Sequence, residues 1–380
     1  MVAYSIKKIG GGSVKPPKPK GIQAPTLKLI RPVSEIIAEL PSTRYYGSKR
    51  KLLSWIFDHI RGLQFDSALD AFGGTASVSL VFKAMRKKVT YHDGFKFNQD
   101  VATTLLSDKI AMDRVDVLDF ISKVVGSPGV ISTAFRGVYY PECENAWIDG
   151  FAKRLHRGSF GKEQSSLLRY LLYQACLKKW PFNLFHRSNL HLRTNVGIPR
   201  SFGNHVTWER SFQHHIMQAY DELPQSFPVQ NRCKILSSGS VDRLKSGYDL
   251  VYIDPPYISN ITRYNRDDYW RRYHFLEGLA SYDSWEEGID MSSDIRLLKR
   301  PKWMSEWAAK IDFQDRLFSL VKRHRKSLVV LSYVTDAYPA EIEIKRFFEK
   351  TFANVSVHSR VHNHALGVVP RRELLFVGRP

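Results

Sequence analysis

The first third of the chain alternates apolar and polar residues in a pattern that predicts a βαβ unit. Leu and Ile recur at helical spacing over 52–60, and the short apolar run at 68–72 predicts a buried strand. Gly73-Gly74-Thr75 forms a tight turn, a second helical pattern covers 78–84, and 89–92 is a second predicted strand. Strand, glycine turn, helix and strand in this order make one βαβ unit.

The same alternation returns toward the end of the chain. The predicted strands there are 233–236, 250–253, 328–331, 355–357 and 374–377. Helical patterns at 313–321 and 342–348 separate the later strands. Strands that alternate with helices predict an α/β fold with a twisted, mostly parallel, Rossmann-like sheet. The closing pair of strands predicts an antiparallel edge.

A long segment separates the two groups of strands. Asp93 and Asp254 are 161 residues apart, whereas two more βα units need only about 60 residues. The surplus predicts an inserted domain. Residues 151–232 carry twelve Lys and Arg against four Asp and Glu, and aromatic residues such as Trp180 and Trp208 are interleaved with them. This mixture suits contacts to phosphates and bases; the alternative interpretation is a basic surface over an ordinary aromatic core.

The composition is most informative for its excess of positive charge. The chain has 57 Lys and Arg against 37 Asp and Glu, a net charge of +20, which favours a polyanionic partner such as nucleic acid. Seven of these cations precede Glu35 in a Pro- and Gly-rich stretch. We interpret that stretch as a solvated extension rather than an arm for DNA.

Three scattered cysteines and the lack of a signal peptide or membrane-spanning run predict a cytoplasmic, nucleoid-associated protein. The dispersed histidines predict no metal site.

The sharpest motif is Asp254-Pro255-Pro256-Tyr257, which directly follows an apolar strand. Ligands of open α/β sheets bind beyond the carboxyl ends of the strands, where this motif falls. A carboxylate accepts hydrogen bonds from an amino group, proline offers a carbonyl without a competing N–H, and tyrosine presents a flat apolar face. These groups together suit a planar base with an exocyclic amine. The alternative is a Pro-Pro turn in which Asp254 is only a cap.

The glycine turn after the first strand predicts a second binding element. Glycines let the backbone approach a ligand at the start of a helix. The turn lacks the GxGxxG spacing that a dinucleotide uses. Asp93 lies nineteen residues beyond Gly74, where an acidic residue can bind ribose hydroxyls. The pattern favours an adenosine-type cofactor, and the alternative is a purely structural turn.

These motifs resemble those of the S-adenosylmethionine-dependent DNA adenine methyltransferases of the Dam-like, or alpha, group. The matching segments are Tyr45-Tyr46-Gly47-Ser48-Lys49 with Leu52-Leu53, Asp70-Ala71-Phe72-Gly73-Gly74-Thr75, Asp93, Asp254-Pro255-Pro256-Tyr257, Ser332-Tyr333 and Arg372-Glu373-Leu374-Leu375. The resemblance implies a class I methyltransferase sheet with an inserted, mostly helical target-recognition domain. The implied divisions are a basic flexible tail at 1–41, a cofactor-binding part at 42–112, the insertion at 113–232 and a catalytic part at 233–380.

The resemblance also implies roles for single residues. The implied cofactor-binding residues are Tyr45, Lys49, Asp70, Phe72, Gly73, Asp93 and Asp254, and the implied catalytic residues are Asp254, Pro255, Pro256 and Tyr257. Asp254 and the Pro255 carbonyl would accept the two amino hydrogens of an adenine turned out of the duplex, on which Tyr257 would stack. Two positions depart from the family pattern, since Ser48 and Ala76 stand where glycine is common.

Arginines in the insertion and after the catalytic motif are expected to bind double-stranded DNA. They are Arg187, Arg193, Arg263, Arg266, Arg271 and Arg272. Asp rather than Ser at position 254 favours adenine over cytosine, and no cysteine is placed for carbon-5 chemistry. We therefore expect the modification enzyme of a restriction–modification system, with a cognate endonuclease as a possible partner, or else an orphan or phage enzyme, acting as a monomer or weak dimer. The alternatives are a non-catalytic DNA-binding protein with this fold, or an amino-methyltransferase acting on cytosine or RNA.

Overall fold

The computed structural model describes residues 32–41, 45, 47–180, 184–195, 197, 202–224, 233–259, 268–362 and 371–380. The strands are β1 (Ser67–Asp70), β2 (Lys88–Tyr91), β3 (Lys234–Ile235), β4 (Leu250–Ile253), β5 (Ile258–Ser259), β6 (Leu328–Val334), β7 (Ala337–Tyr338), β8 (Asn354–His362) and β9 (Arg371–Arg379). The helices of the first half are α1 (Val33–Glu39), α2 (Leu53–Ile60), α3 (Ser77–Ala84), α4 (Lys96–Leu105), α5 (Arg114–Ser122), α6 (Val130–Ala134), α7 (Glu142–Arg157) and α8 (Lys162–Lys179). The later helices are α9 (His191–Thr194), α10 (Phe202–Glu209), α11 (Phe212–Asp221), α12 (Tyr269–Ala280), α13 (Lys302–Ala308), α14 (Lys310–Arg323) and α15 (Glu341–Thr351).

Within the described residues, a sheet of seven strands has the order β3-β2-β1-β4-β6-β9-β8. The five strands from β3 to β6 in this order run parallel, and β9 pairs antiparallel with both β6 and β8. The predicted α/β fold, its mostly parallel sheet and its antiparallel edge are therefore confirmed. A separate pair of two-residue strands, β5 and β7, was not predicted.

Alternate residues of the central strands enter two apolar clusters. Leu250 and Tyr252 belong to one cluster, whereas Val251 and Ile253 belong to the other. Period-two alternation places these pairs on opposite faces of the sheet, and helices cover both faces. The carboxyl ends of β1, β2 and β4 remain uncovered by this packing and meet at one edge.

All described elements between β2 and β3 are helices, from α4 to α11. Helix α8 is buried along most of its length and packs against α4 and α11. This agrees with a mostly helical insertion, although the division at 113–232 stays a prediction. No helix among the described residues has the length and apolar character needed to span a membrane.

The start of the chain differs from the expected tail at 1–41. Residues 1–31 lie outside the described residues, but Val33–Glu39 form α1. Ile36 and Ile37 are buried, and Leu40 joins them. The apolar spacing of these residues is that of an amphipathic helix, so the structured part of the chain begins before residue 41.

Candidate active site

A cavity of about 140 Å³ opens at the carboxyl edge of β1, β2 and β4. The described residues predicted for the cofactor and the target base all line it, namely Tyr45, Lys49, Asp70, Phe72, Gly73, Asp93, Asp254, Pro255, Pro256 and Tyr257. The fold brings them together because parallel strands in one sheet present their carboxyl ends to the same side. Their individual roles stay predictions.

The glycine turn between β1 and α3 is held by its neighbours. A Cβ atom on Gly73 would lie 2.2 Å from the Tyr91 ring, so no larger residue fits there. Tyr91 donates a hydrogen bond to the carbonyl of Gly74 at 2.6 Å. Ser48 and Thr75 are hydrogen-bonded through their hydroxyl oxygens at 3.2 Å. Ser48 therefore ties the lysine motif to the turn, which a glycine at that position could not do.

Asp93, just beyond β2, is an acceptor for the turn on one side and for α4 on the other. Its Oδ2 accepts a hydrogen bond from the Gly74 backbone N–H at 2.9 Å. Its Oδ1 accepts hydrogen bonds from the backbone N–H of Phe95 at 2.8 Å and from Asn98 Nδ2 at 2.9 Å. Burial raises the pKa of Asp93, and these hydrogen bonds lower it in part. The buried carboxylate is thereby held at the cavity wall.

Asp70, the last residue of β1, is a second buried carboxyl at this wall. Its Oδ2 accepts a hydrogen bond from Ser79 at 2.7 Å, while within the described residues its Oδ1 has no hydrogen-bond partner. Burial raises the pKa of Asp70 to about 7. The charge of this group therefore changes near neutral pH.

Lys49, which lines the cavity, stands between two carboxylates. Its Nζ lies 3.3 Å from Asp254 Oδ1 and 3.2 Å from Glu373 Oε2. Lys49 also donates a hydrogen bond to the Tyr257 hydroxyl, which in turn donates to Asp254 Oδ1 at 2.9 Å. Both contacts to Asp254 use the same oxygen, and no hydrogen bond from the described residues reaches Oδ2. One oxygen is fixed, and the other is left for a further donor.

The charged groups of this cluster shift one another's pKa values. Burial raises the pKa of Asp254; the Lys49 ammonium lowers it, and the Glu373 carboxylate raises it. Burial disfavours the ammonium form of Lys49, but Asp254 and Glu373 outweigh that effect and raise its pKa above the ordinary value. Lys49 is therefore a cation at neutral pH.

Aromatic side chains form part of the cavity lining. Tyr45 stacks on Tyr273 of α12, with ring centroids 4.4 Å apart and planes 2° apart. Phe72 meets Trp307 of α13 edge-on at 5.3 Å. Trp303 of α13 also lines the cavity. Within the described residues, no group of three or more His, Cys, Asp and Glu side chains could hold a metal ion.

Residues 45–327 match the family model of the D12 class N6 adenine-specific DNA methyltransferases. The chain belongs to this family. It is therefore an enzyme that methylates adenine in DNA, and enzymes of this class take the methyl group from S-adenosylmethionine. The predicted resemblance, and the preference for adenine over cytosine, are confirmed. A search of curated proteins finds no match to this methyltransferase.

Two parts of the methyltransferase site were not predicted. Glu373 stands in the segment similar to the family's closing strand, and its signal is a charged residue directly before the apolar run Leu374–Val377. Helix α13 was also missed, and its signal was the helical spacing of Trp303, Met304 and Trp307.

The predicted DNA-binding arginines have different surroundings. Arg263 and Arg266 lie outside the described residues. Arg193 has a buried guanidinium that makes two hydrogen bonds of 2.9 Å to Glu144, an arrangement that suits a structural role. Burial, and then the positive charges of Arg272, Arg187 and Arg271, lower the pKa of His186 to about 4. Arg187, Arg271 and Arg272 thus all lie near His186. Arg271 and Arg272 belong to the first turn of α12, whose first residue, Tyr269, lines the cavity.

Proposed function

We propose that this enzyme methylates N6 of adenine at defined DNA sequences, with the target adenine turned out of the duplex into the cavity. The observation that carries the proposal is the Asp254 carboxylate at the end of β4. Lys49 and Tyr257 hold its Oδ1, and Pro255 and Pro256 line the same cavity beside it. This arrangement presents acceptors to an amino group and no competing proline N–H.

The glycine turn, Asp93 and Lys49 line the part of the cavity that we assign to S-adenosylmethionine. A carboxylate at the end of β2 is placed to accept hydrogen bonds from ribose hydroxyls, so we assign Asp93 to the ribose. Phe72 and Gly73 would face the cofactor, and Tyr45 and Lys49 would lie near its methionine end. Buried carboxylates at this wall also favour a cationic ligand. When bound, S-adenosylmethionine supplies a methyl group whose bond to the sulfonium breaks as the bond to N6 forms.

Asp254 has two tasks in this proposal. The adenine amino group is a weak nucleophile because its lone pair is delocalised into the ring. Asp254 Oδ2 and the Pro255 carbonyl accept its two N–H groups and so localise the lone pair on nitrogen. The proton that N6 loses passes to the Asp254 carboxylate, whose pKa is raised by burial. No covalent enzyme intermediate is needed, since alignment of the reacting atoms suffices.

Tyr257 supports the carboxylate through its hydroxyl. Its ring is only 6% exposed and meets Tyr333 edge-on at 5.6 Å. Stacking of the target base on this ring stays a prediction that needs one ring face to open to the cavity. The hydrogen bond to Asp254 gives Tyr257 a positioning role in either case.

We further assign DNA recognition to the helical insertion at 113–232 and to Arg187, Arg271 and Arg272. Their positive charge and their place beside the cavity support this assignment. Methylation at a defined sequence is also what protects DNA from an endonuclease, and on that basis we propose the modification role in a restriction–modification pair. In this role the enzyme acts as a monomer or weak dimer in the cytoplasm, close to the nucleoid.

The test is methyl transfer from labelled S-adenosylmethionine to unmethylated DNA. We expect the label in N6-methyladenine, and a loss of at least about a hundredfold in Asp254→Asn. Asp249→Asn is the matched control, because Asp249 lies at the opposite end of β4 and bonds to Ser67. Label in cytosine or RNA, or an active Asp254→Asn variant, would contradict the proposal. Sequencing the product gives the site, and digestion by endonucleases of that specificity tests protection.

A further inference from the structure

We propose that Trp303 of α13 binds the adenine ring of S-adenosylmethionine by stacking, and that Gly94 makes room for the Trp303 ring. The inference rests on the proposed function of the cavity, and it adds the residues that bind the cofactor's own base. Neither Trp303 nor Gly94 belongs to the motifs found in the sequence.

The strand order, together with the proposed roles, gives the direction in which the cofactor lies. Asp254 follows β4 and Asp93 follows β2, and β1 runs between these two strands. Neighbouring strands are about 4.8 Å apart, so the ends of β4 and β2 are roughly 10 Å apart along the sheet edge. The methyl group must reach the amine at Asp254, whereas the ribose is assigned to Asp93. Because adenine and sulfur are attached at opposite sides of the ribose, the adenine would lie beyond Asp93, toward β3.

Apolar side chains line this end of the cavity. Val241, in the loop after β3, and Phe95, just after β2, are both buried and both line it. Trp303 and Met304 of α13 line it as well, and Trp303 is only half-buried. A planar base binds well against an aromatic face. Trp303 therefore offers the adenine a ring on which to stack.

Gly94 brings the Trp303 ring close to the end of β2. A Cβ atom on Gly94 would lie 2.8 Å from Cη2 of Trp303, so a larger residue would displace the ring. The backbone of Gly94 is not left-handed, so the approach of the ring and not the backbone requires glycine here. Gly94 directly follows Asp93. The ring thus lies beside the position assigned to the ribose, where the attached base is expected.

Helix α13 is anchored through its next turn. Trp307, four residues after Trp303 and on the same side of the helix, donates a hydrogen bond from Nε1 to Asp242 at 3.2 Å. Arg316 of α14 donates to Asp242 and to Glu306 of α13, both at 2.7 Å. These contacts hold α13 against the loop after β3, so the Trp303 ring is in place before the cofactor binds.

The test measures the affinities of the purified full chain for S-adenosylhomocysteine and 5′-methylthioadenosine by calorimetry. Both compounds contain the adenosine, but only the first has the amino-acid end. We expect Trp303→Leu to weaken both by a similar factor of about ten, because the lost stacking concerns the shared base. Trp303→Phe, which keeps an aromatic ring, should recover most of the affinity. Trp55→Leu is the matched control, since Trp55 of α2 is also half-buried but its ring meets His59 edge-on; it should leave both affinities unchanged.

Gly94→Ala changes the position of the Trp303 ring without changing the ring itself. It should weaken both compounds about threefold in the wild-type chain and much less in Trp303→Leu, where the ring is absent. Loss of S-adenosylhomocysteine alone in Trp303→Leu, unchanged affinities, or an equal effect of Gly94→Ala in both backgrounds would overturn this inference while leaving the proposed function intact. A wild-type chain that binds neither compound would overturn the proposed function as well.

Discussion

Ala76 carries a side chain at a backbone conformation that favours glycine. Its φ is +59° and its side chain is fully buried at the start of α3. Left-handed backbone costs a non-glycine residue about 1–2 kcal/mol, whereas loss of a buried methyl group costs about 1 kcal/mol. The two effects nearly cancel, so we expect Ala76→Gly to change the free energy of unfolding by less than about 0.5 kcal/mol.

The control for Ala76→Gly is the same substitution in a right-handed helix. Ala219 is 1% exposed within α11, and Ala219→Gly should cost about 1 kcal/mol or more. Denaturant unfolding of the two variants measures the difference. Equal destabilisation would show that the backbone of Ala76 is not strained.

Asp70 makes stability depend on pH. Its pKa rises from an ordinary value of about 4 to about 7 in the folded protein because the carboxyl is buried. Between these values the folded state binds more protons than the unfolded state, so the contribution of Asp70 to stability is lost as the pH rises toward 7. Asp70→Asn removes this effect. The unfolding free energy of the variant, relative to wild type, should therefore increase between about pH 5 and pH 8.

Asp249 is the matching control, because its pKa is shifted in the opposite direction. Hydrogen bonds from the Ser67 and Asp66 backbone lower the pKa of Asp249, so its contribution is already complete at pH 5. The difference between Asp249→Asn and wild type should stay constant over the same interval. A constant difference for Asp70→Asn as well would show that Asp70 is ionised throughout.

At the residue scale, sequence reasoning worked best at strand ends. Asp93 and Asp254 each follow an apolar strand and Asp70 is the last residue of one, and parallel pairing leads all three to one cavity. Glu373 could not be found in this way. It reaches Lys49 only because β9 inserts between β6 and β8, and a strand order of this kind leaves no trace in local periodicity.

At the scale of elements, Gly47 couples the lysine motif to α12. Its φ is +85°, and a Cβ atom there would lie 2.2 Å from the Tyr269 hydroxyl. Gly47→Ala therefore requires the Tyr269 side chain to shift, in addition to the backbone strain. We expect a loss of about 2 kcal/mol in stability, together with weaker S-adenosylmethionine binding, because both segments line the cavity.

Gly62→Ala is the matched control for the glycine substitution. No atom lies within 4 Å of a Cβ placed on Gly62, so this change should be nearly neutral. Thermal unfolding and calorimetric titration of both variants check the prediction. A Gly47→Ala variant that is as stable and binds as tightly as Gly62→Ala would contradict the close contact with Tyr269.

Strands within a predicted apolar segment could be found from the sequence, including the two-residue β3 within 233–236, and short elements outside such a segment could not. The strands of the main sheet have apolar runs bounded by turn residues, and the structure contains each of them. Strands β5 and β7 have two residues each, too few to show a period of two. Helix α1 was assigned to the tail because the prolines before it dominated the composition of that segment.

At the scale of the whole molecule, the net charge of +20 favours contact with phosphates in any sequence. Where this charge acts is a separate question. Arg187 is exposed, and Arg271 at the start of α12 lies 3.7 Å from the exposed Asp294. Both arginines lie close enough to His186 to lower its pKa. Contacts there would be made beside the cavity that we propose for the target base.

The salt dependence of DNA binding can separate direct phosphate contacts of Arg187 and Arg271 from the effect of the overall net charge. DNA affinity should fall with rising salt in the wild type, and each phosphate contact contributes about 0.9 to the slope of log K against log salt. Arg187→Gln and Arg271→Gln should each reduce the slope by about that amount. Arg61→Gln is the control, since Arg61 has the same charge and is also exposed but lies in the turn after α2, paired with Asp58. Binding of a labelled duplex between about 50 and 200 mM salt measures the slopes. Equal slopes for all three variants would mean that the charge acts only through the general field of the protein.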